Sequence, residues 1–196
     1  MSHATITPDL QRLYQLACTP GTWMNDAWWT HLGLSSWQDS YRRFAACRPA
    51  INRLIRQHRA LSWTTLPGSL TSPQRALLDL EPRFLRLITA LGLVALNCPD
   101  HLLLKAHRQA LMPLLEPHHC NQILGLHQGW SNAETAIATD ALVNAALRTG
   151  AQWWLRDATP CPVTDVLKLH LPPASEVTVS QADNALHWLI KLGRFL

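Results

Sequence analysis

The sequence predicts a mainly α protein, a single compact multi-helix domain with at most one short β-hairpin near the C-terminus. Three observations support this prediction. With 196 residues, 47% of them apolar and only 15% charged, the chain can build one sizeable core and is too apolar for general disorder. Apolar residues recur three and four positions apart along most of the chain. Proline, serine and threonine repeatedly stand where helices begin.

The stretch 84–96, FLRLITALGLVAL, is predicted to be the central core helix. Its apolar residues cover most of the helix circumference, so other elements have to enclose it. The uncharged run within it, residues 87–96, has ten residues, whereas a helix that spans a bilayer needs roughly 20. This stretch is therefore not expected to cross a membrane.

The N-terminal third is predicted to form helices at residues 8–18, 26–31, 36–47 and 49–61. Thr7 and Pro8 illustrate the signal, because a capping hydroxyl followed by a proline in the first turn is typical of a helix start. Four of the nine tryptophans lie in the segment 23–37, at Trp23, Trp28, Trp29 and Trp37. Since tryptophan is common both in cores and among residues that anchor interfaces, either role is open for each of them.

Residues 62–72 have a loop composition, with Pro67, Gly68 and Ser69 at their centre. They are predicted to separate a Trp-rich and Arg-rich helical part, residues 1–65, from a main helical core with a small β element, residues 72–196. One continuous domain is the alternative.

The C-terminal half is predicted to contain a helix over 101–115 with a break or kink at Pro113, a helix that carries Leu142 to Trp154, and a final helix over 181–195. Gly150 in the second of these is expected to let a neighbouring element approach closely. The period changes at residues 163–171, where leucines alternate with polar residues. This alternation predicts a strand that pairs with residues 177–179 as a hairpin.

Seven basic residues and no acidic residue lie between Asp39 and Asp79. The seven are Arg42, Arg43, Arg48, Arg53, Arg56, Arg59 and Arg75. On the predicted helix 49–61, Arg53, Arg56 and Arg59 project outward. The region is expected to present a basic surface that suits an acidic protein, an anionic membrane surface or a nucleic acid.

No catalytic, cofactor-binding or metal-binding residues are expected. Histidines that bind a metal from one helix lie three or four positions apart, whereas His101 and His107 are six apart and expected on different faces. His118, His119 and Cys120 are adjacent and diverge around a helix. The chain has no GxSxG elbow, P-loop or GxGxxG turn. An enzyme with a small-molecule substrate is therefore the least favoured class.

A scaffold that contacts other proteins is the leading functional prediction, and a helical nucleic-acid-binding regulator is the alternative. The alternative would use the basic patch of residues 42–59, with Trp37 and Trp63 stacking on bases. The absence of a reader motif and the modest net charge of +4 weigh against it.

The five cysteines lie far apart and contain no CxxC pair. The N-terminal sequence MSHATITPDL has neither the basic flank nor the apolar run of a signal peptide. We therefore expect a cytoplasmic protein with free thiols.

Three hydrophobic motifs resemble the SctK proteins of bacterial type III secretion systems, the YscK and PscK group. They are LGLV at 91–94, GAQWWL at 150–155 and LKLHLPP at 167–173. The resemblance covers roughly residues 75–173, and the Trp-rich segment 23–37 has no counterpart in it. It implies a non-enzymatic cytoplasmic adaptor of the sorting platform, which links the inner-membrane ring protein SctD to the pod protein SctQ and meets the membrane only through the complex.

Contacts with these partners are assigned to the arginines and tryptophans of the N-terminal part. The hypothetical partner-binding residues are Arg42, Arg43, Arg53, Arg56, Arg59, Trp28, Trp29 and Trp37.

Overall fold

The computed structural model describes residues 6–58, 67–131, 137–173 and 183–196. In chain order, the α-helices of these residues are α1 (Pro8–Cys18), α2 (Ala27–His31), α3 (Ser35–Arg43), α4 (Arg48–His58), α5 (Ser72–Leu78), α6 (Phe84–Leu96), α7 (Asp100–Leu103), α8 (Lys105–Leu111), α9 (Pro117–Leu126), α10 (Leu142–Asp157), α11 (Pro162–Leu167) and α12 (Ala185–Gly193). Short 3-10 helices cover Pro20–Thr22, Ala45–Cys47, Glu81–Arg83 and Lys168–His170. The described residues contain no strand, and the predicted mainly α class is confirmed.

The chain forms two compact units, each built from two separate stretches. The first unit consists of Met1–Glu81 and Thr159–Pro173, and the second of Pro82–Ala158 and Ala174–Leu196. Residues 59–66, which include much of the predicted boundary at 62–72, lie outside the described residues. The predicted division into 1–65 and 72–196 therefore stays a prediction.

The first unit has a tryptophan-rich core. Trp28 and Trp29 of α2 are buried together with Tyr41, Ile55 and Leu169. The rings of Trp29 and Tyr41 pack with their centroids 5.4 Å apart, a spacing typical of favourable aromatic pairs. The core thus joins the N-terminal helices to the 3-10 helix that contains Leu169.

Hydrogen bonds to main-chain carbonyl oxygens hold the same two stretches together. The indole Nε1 of Trp28 donates to the carbonyl oxygen of Leu171 at 2.8 Å. The backbone nitrogen of Asn25 donates to the carbonyl oxygen of Leu169, also at 2.8 Å. Because a buried carbonyl without a partner is costly, these bonds fix where the late segment lies against α2.

The predicted strand at residues 163–171 is wrong, because this segment is helical. Pro162 occupies the first turn of α11, and the Sγ atom of Cys161 accepts a hydrogen bond from the Thr164 nitrogen at 3.4 Å. Val163 and Leu167 are buried four positions apart, as on one helix face. The chain then tightens into the 3-10 helix Lys168–His170, which produces the apparent alternation. The strand predicted at 177–179 lies outside the described residues.

A polar cluster around the buried Glu81 carboxylate lies in the first unit. Glu81 is buried, and its Oε2 atom lies 2.6 Å from the Arg12 Nη2 atom. Its Oε1 atom lies 3.4 Å from the His170 Nε2 atom, and the Trp23 ring stacks on His170 with centroids 4.5 Å apart. Burial lowers the pKa of His170, because the charged imidazole loses hydration; the Glu81 carboxylate opposes this shift, and Arg12 adds to it.

The second unit is organised around α6, whose bounds agree with the predicted central helix. Its most extensive contact is with α10. A Cβ atom on Gly92 would overlap the carbonyl oxygen of Ala146, and one on Gly150 would overlap the carbonyl oxygen of Ile88. The two backbones therefore touch directly, and the close approach predicted at Gly150 is confirmed.

The ends of α10 and α12 are held by polar contacts. The Trp153 Nε1 atom donates to the Asp183 carbonyl oxygen at 3.0 Å. The side chain of Asn184 caps α12 by accepting from the backbone nitrogens of Leu186 and His187 at 2.9 and 3.2 Å. The final helix was predicted from residue 181, which lies outside the described residues, and α12 begins at Ala185.

No helix among the described residues combines the length and apolarity that bilayer crossing requires.

Two predicted helices are each divided by a residue with extended backbone, at a position where no break was predicted. The predicted helix 36–47 breaks at Phe44, with φ −118° and ψ 106°. The predicted helix 101–115 breaks at Leu104, with φ −70° and ψ 133°. Neither position has a proline or glycine, so local sequence gave no signal for the interruption.

Each break is followed four residues later by an arginine that binds the end of the preceding helix. Arg48 donates from Nε to the carbonyl oxygen of Tyr41 at 3.1 Å and from Nη2 to that of Arg42 at 3.2 Å. Arg108 donates from Nε to the carbonyl oxygen of Leu102. Both guanidinium groups satisfy carbonyls that a continuing helix would have bonded, and this stabilises the break.

Replacing Gly92 with alanine should destabilise the protein by about 3 kcal/mol, because the added methyl group forces the α6 and α10 backbones apart. Gly125→Ala is the matched control: Gly125 is in α9, a Cβ there meets nothing, and alanine favours the helix by up to about 1 kcal/mol. Urea denaturation measures both. Equal stability of the two variants would contradict the direct backbone contact.

The free energy of unfolding should fall as the pH is lowered from 7 to 5. Burial lowers the pKa of His170, so the unfolded chain takes up a proton near its ordinary pKa of about 6.5 before the folded chain does. Stability is therefore lost as the pH falls through the folded pKa. His119 and His127 shift in the same direction, so His170→Gln should remove only part of the slope.

Urea titrations at the two pH values measure this slope, with His58→Gln, which removes an exposed imidazole of the same unit, as the control. An unchanged slope in His170→Gln would show that His170 does not contribute.

Candidate partner interface

In the structure, the arginines predicted to bind a partner differ in how exposed they are. Arg42 and Arg43, at the end of α3, and Arg53, on α4, are exposed. Arg56 is half-buried, and its Nε atom donates to the Asn52 carbonyl oxygen at 3.4 Å. Arg59 lies outside the described residues.

Arg42 has a carboxylate partner. Its Nη2 atom lies 3.0 and 3.1 Å from the two carboxylate oxygens of Asp26, which also accepts from Gln38 Nε2 at 3.1 Å. Both members of this ion pair are exposed, and such pairs contribute only about 0.2–1 kcal/mol. A competing carboxylate from a partner can therefore replace Asp26 at small cost.

Arg43 and Arg53 form no ion pair with any described residue. Their charges are not neutralised within the part of the chain that the structure describes. They are thus the arginines of the predicted set that are best placed to attract an acidic surface.

The tryptophans of the predicted set divide between core and surface. Trp28 and Trp29 are only 4% and 2% exposed, so they hold α2 in the core of the first unit. Trp37 on α3 is 49% exposed. Of the three, Trp37 alone presents a large aromatic surface to a partner, and the other two support the fold beneath it.

Phe44 is an exposed aromatic residue that sequence reasoning missed. It follows Trp37 by seven positions and is 59% exposed at the break after α3. The pattern placed it inside a continuous helix, where a phenylalanine is normally part of the buried face. Trp37, Arg43, Phe44 and Arg53 together are called the α3–α4 surface below.

A polar recess of about 280 Å³ lies in the same unit. It is lined by Gly21, Thr22, Met24, Asp26, Trp29, Tyr41, Arg42 and Arg48. Its size and polar lining suit a side chain of a partner, and the Arg42 guanidinium in this lining suits a carboxylate that displaces Asp26.

Tyr41 forms the wall of this recess. Its hydroxyl donates to Asn52 Oδ1 at 3.1 Å, and burial raises its pKa, against the effects of the Asn52 bond and the nearby Arg48 guanidinium. Gly21 has no room for a side chain, since a Cβ atom would lie 2.8 Å from the Tyr41 ring. Because its pKa is raised, the Tyr41 hydroxyl stays protonated at neutral pH and acts as a structural hydrogen-bond donor.

His101 and His107 lie close together, although the described residues form no metal cluster. The rings of His101 and His107 lie 5.4 Å apart, so the expectation that they occupy different faces is wrong. The break at Leu104 changes the direction of the chain between them. Within the described ranges, no group of three or more histidine, cysteine, aspartate or glutamate side chains is arranged to hold a metal ion.

The surface and recess of the first unit lie within the span of one family match. A family model described as a type III secretion system subunit matches residues 11–173. The chain belongs to this family. No match is found among curated proteins or among solved structures.

The family match of this type III secretion subunit covers more of the chain than the three motifs, which span residues 91–173. It begins within α1, so it includes the Trp-rich segment for which the SctK resemblance offered no counterpart. It also includes α3 and α4 and ends at Pro173, where the second stretch of the first unit ends. The candidate interface is thus part of the family region.

Replacing Trp29 with alanine should destabilise the protein by about 3–5 kcal/mol, because a large buried ring leaves a cavity. Trp37→Ala should change stability by about 0.5 kcal/mol or less, because the side chain is half exposed and lies at the surface. Chemical denaturation followed by circular dichroism distinguishes the two. Equal losses would mean that Trp37 is a core residue and not a contact residue.

Proposed function

We propose that this type III secretion subunit is a non-enzymatic adaptor of the SctK type. In this proposal it works in the cytoplasm, in the sorting platform of the secretion machine, and links the cytoplasmic domain of the inner-membrane ring protein to the pod protein. Support comes from the family match over residues 11–173 and from the SctK-like motifs within residues 75–173. The protein reaches the membrane only through these partners.

The observation that carries the proposal is the combination of charge and aromatic surface on α3 and α4. Arg43 and Arg53 are exposed without a carboxylate partner among the described residues, and Trp37 and Phe44 are exposed aromatics on the same segment. Arginine and tryptophan are the residue types most enriched among interface hot spots. Such a surface fits an acidic face of the ring protein.

The chemistry of this segment also supports a docking role over catalysis. Arg48 and Arg56 are held by backbone carbonyl oxygens, and Tyr41 donates to Asn52, so these groups serve the fold. The uncompensated charges are arginines, which stay protonated throughout the physiological pH range and do not act as bases. They attract and orient a partner instead.

Reversing both free charges, Arg43→Glu with Arg53→Glu, should weaken binding to the purified cytoplasmic domain of the ring protein by about 100-fold, since like charges would then face each other. Isothermal titration calorimetry measures the affinity at two salt concentrations, and the wild-type affinity should fall as salt rises. Circular dichroism should show an unchanged helix content, because both side chains are exposed.

Arg194→Glu is the control for position, because it reverses one arginine charge at an exposed position in the second unit. The proposal is contradicted if the double variant binds like the wild type. A pull-down from nuclease-treated cytosol tests the nucleic-acid alternative: protein partners persist after treatment, whereas a nucleic-acid complex is lost.

A further inference from the structure

The second unit has an open groove between α7, α8 and the start of α9. Its volume is about 500 Å³, and it is lined by Leu103, Lys105, Arg108, Gln109, Met112 and Pro117. Leu103, the adjoining Leu104 and Met112 are 55%, 50% and 53% exposed, which is unusual for three large apolar side chains this close in sequence. We call this feature the α7–α9 groove.

The break in the chain at Leu104 creates these exposed residues. Leu102, at the end of α7, and Leu111, at the end of α8, are fully buried. The backbone at Leu104 is extended, so the apolar residues of the predicted helix 101–115 do not form one continuous buried helix face. Leu103 and Leu104 therefore remain outside the core.

The groove is held in shape by Arg108. Its Nε atom donates to the Leu102 carbonyl oxygen of α7, and its Nη2 atom donates to Asn121 Oδ1 of α9 at 2.6 Å. One side chain of α8 thus ties all three helices that form the groove. A groove fixed in this way loses little conformational entropy on binding, and a partner gains affinity from it.

The rim of the groove is positively charged. Lys105 is exposed and forms no ion pair with a described residue. Arg108 is bound by neutral oxygen atoms and keeps its full positive charge. Helix α8 contains no acidic residue, and neither Asp100 of α7 nor Glu116, which precedes α9, forms an ion pair with Lys105 or Arg108.

We propose that the α7–α9 groove binds an amphipathic helix of another secretion subunit, with apolar side chains in the groove and acidic residues against Lys105 and Arg108. Helix-in-groove recognition uses apolar anchors three, four and seven positions apart. A volume of about 500 Å³ accepts a few such side chains. Met112 adapts readily to their shape. The inference rests on the proposed function, since it supplies the adaptor with a second docking surface of different chemistry.

The charge of the chain favours this occupant over a second copy of the protein. With a net charge of +4 and an isoelectric point near 9.0, two copies would bring like charges together at the groove. The concave shape likewise suits inserted side chains better than the flat surface of a membrane. An amphipathic helix with acidic residues complements both the apolar floor and the positively charged rim of the groove.

A photo-crosslinking amino acid placed at Leu104 and, separately, at Met112 tests the proposal in bacteria that assemble the secretion machine. Both positions should crosslink to one segment of one other subunit, with apolar residues at helical spacing flanked by acids. The same label at His187, an exposed position of α12, is the control and should not crosslink to that segment.

The crosslinked segment, made as a fluorescent synthetic peptide, should bind the purified full-length chain in an anisotropy titration. Lys105→Glu and Met112→Ser should each weaken this binding by about tenfold, through the charged rim and the apolar floor respectively. Arg194→Glu should leave it unchanged.

Crosslinks to a second copy of the chain, to lipid or to a segment without acidic residues would overturn the proposal, as would no crosslink at all. The calorimetric titration of the Arg43→Glu, Arg53→Glu variant with the purified ring-protein domain is carried out in parallel. Lost ring-protein binding there without a groove crosslink would defeat only this inference, whereas a groove crosslink with intact ring-protein binding would defeat the assignment of the α3–α4 surface.

Discussion

The second unit depends on direct contact between the backbones of α6 and α10 at Gly92 and Gly150. With no side chain between the helix axes, the flanking large residues interlock, and the rings of Phe84 and Trp154 meet edge to face at 5.0 Å. Trp153 on α10 then reaches the segment that leads into α12 through the Asp183 carbonyl oxygen. The closeness of one helix pair therefore sets the positions of the elements around it.

Much of this fold was predictable, because its signals are local. Helix α1 follows from Thr7 and Pro8, and α6 follows from an apolar stretch that only a buried helix explains. The failures have non-local causes. Residues 163–171 look like a strand because a helix and a 3-10 turn in succession bury leucines at irregular spacing. The break at Leu104 is stabilised by Arg108, and sequence periodicity carries no information on that hydrogen bond.

The candidate site was predictable in its composition and not in its geometry. An acid-free run of arginines is visible in the sequence, yet the pairing of Arg42 with Asp26 spans sixteen positions and depends on how α2 meets α3. The residue type likewise does not show that Trp29 is buried and Trp37 exposed, because burial depends on which helix face meets the core. Phe44 illustrates the same limit: it is exposed because a helix ends, and composition does not report helix ends without proline or glycine.

The first unit is completed by a stretch that is synthesised late. Leu169 belongs to its core, and the carbonyl oxygen of Leu171 accepts the indole hydrogen of Trp28, so residues 1–81 alone lack part of their own interior. A nascent chain therefore cannot finish the unit that carries α3 and α4 until about residue 173 has left the ribosome. Residues 82–158 of the second unit have been translated by then, so the basic region is finished only after them, and chains that terminate before residue 173 lack it in finished form.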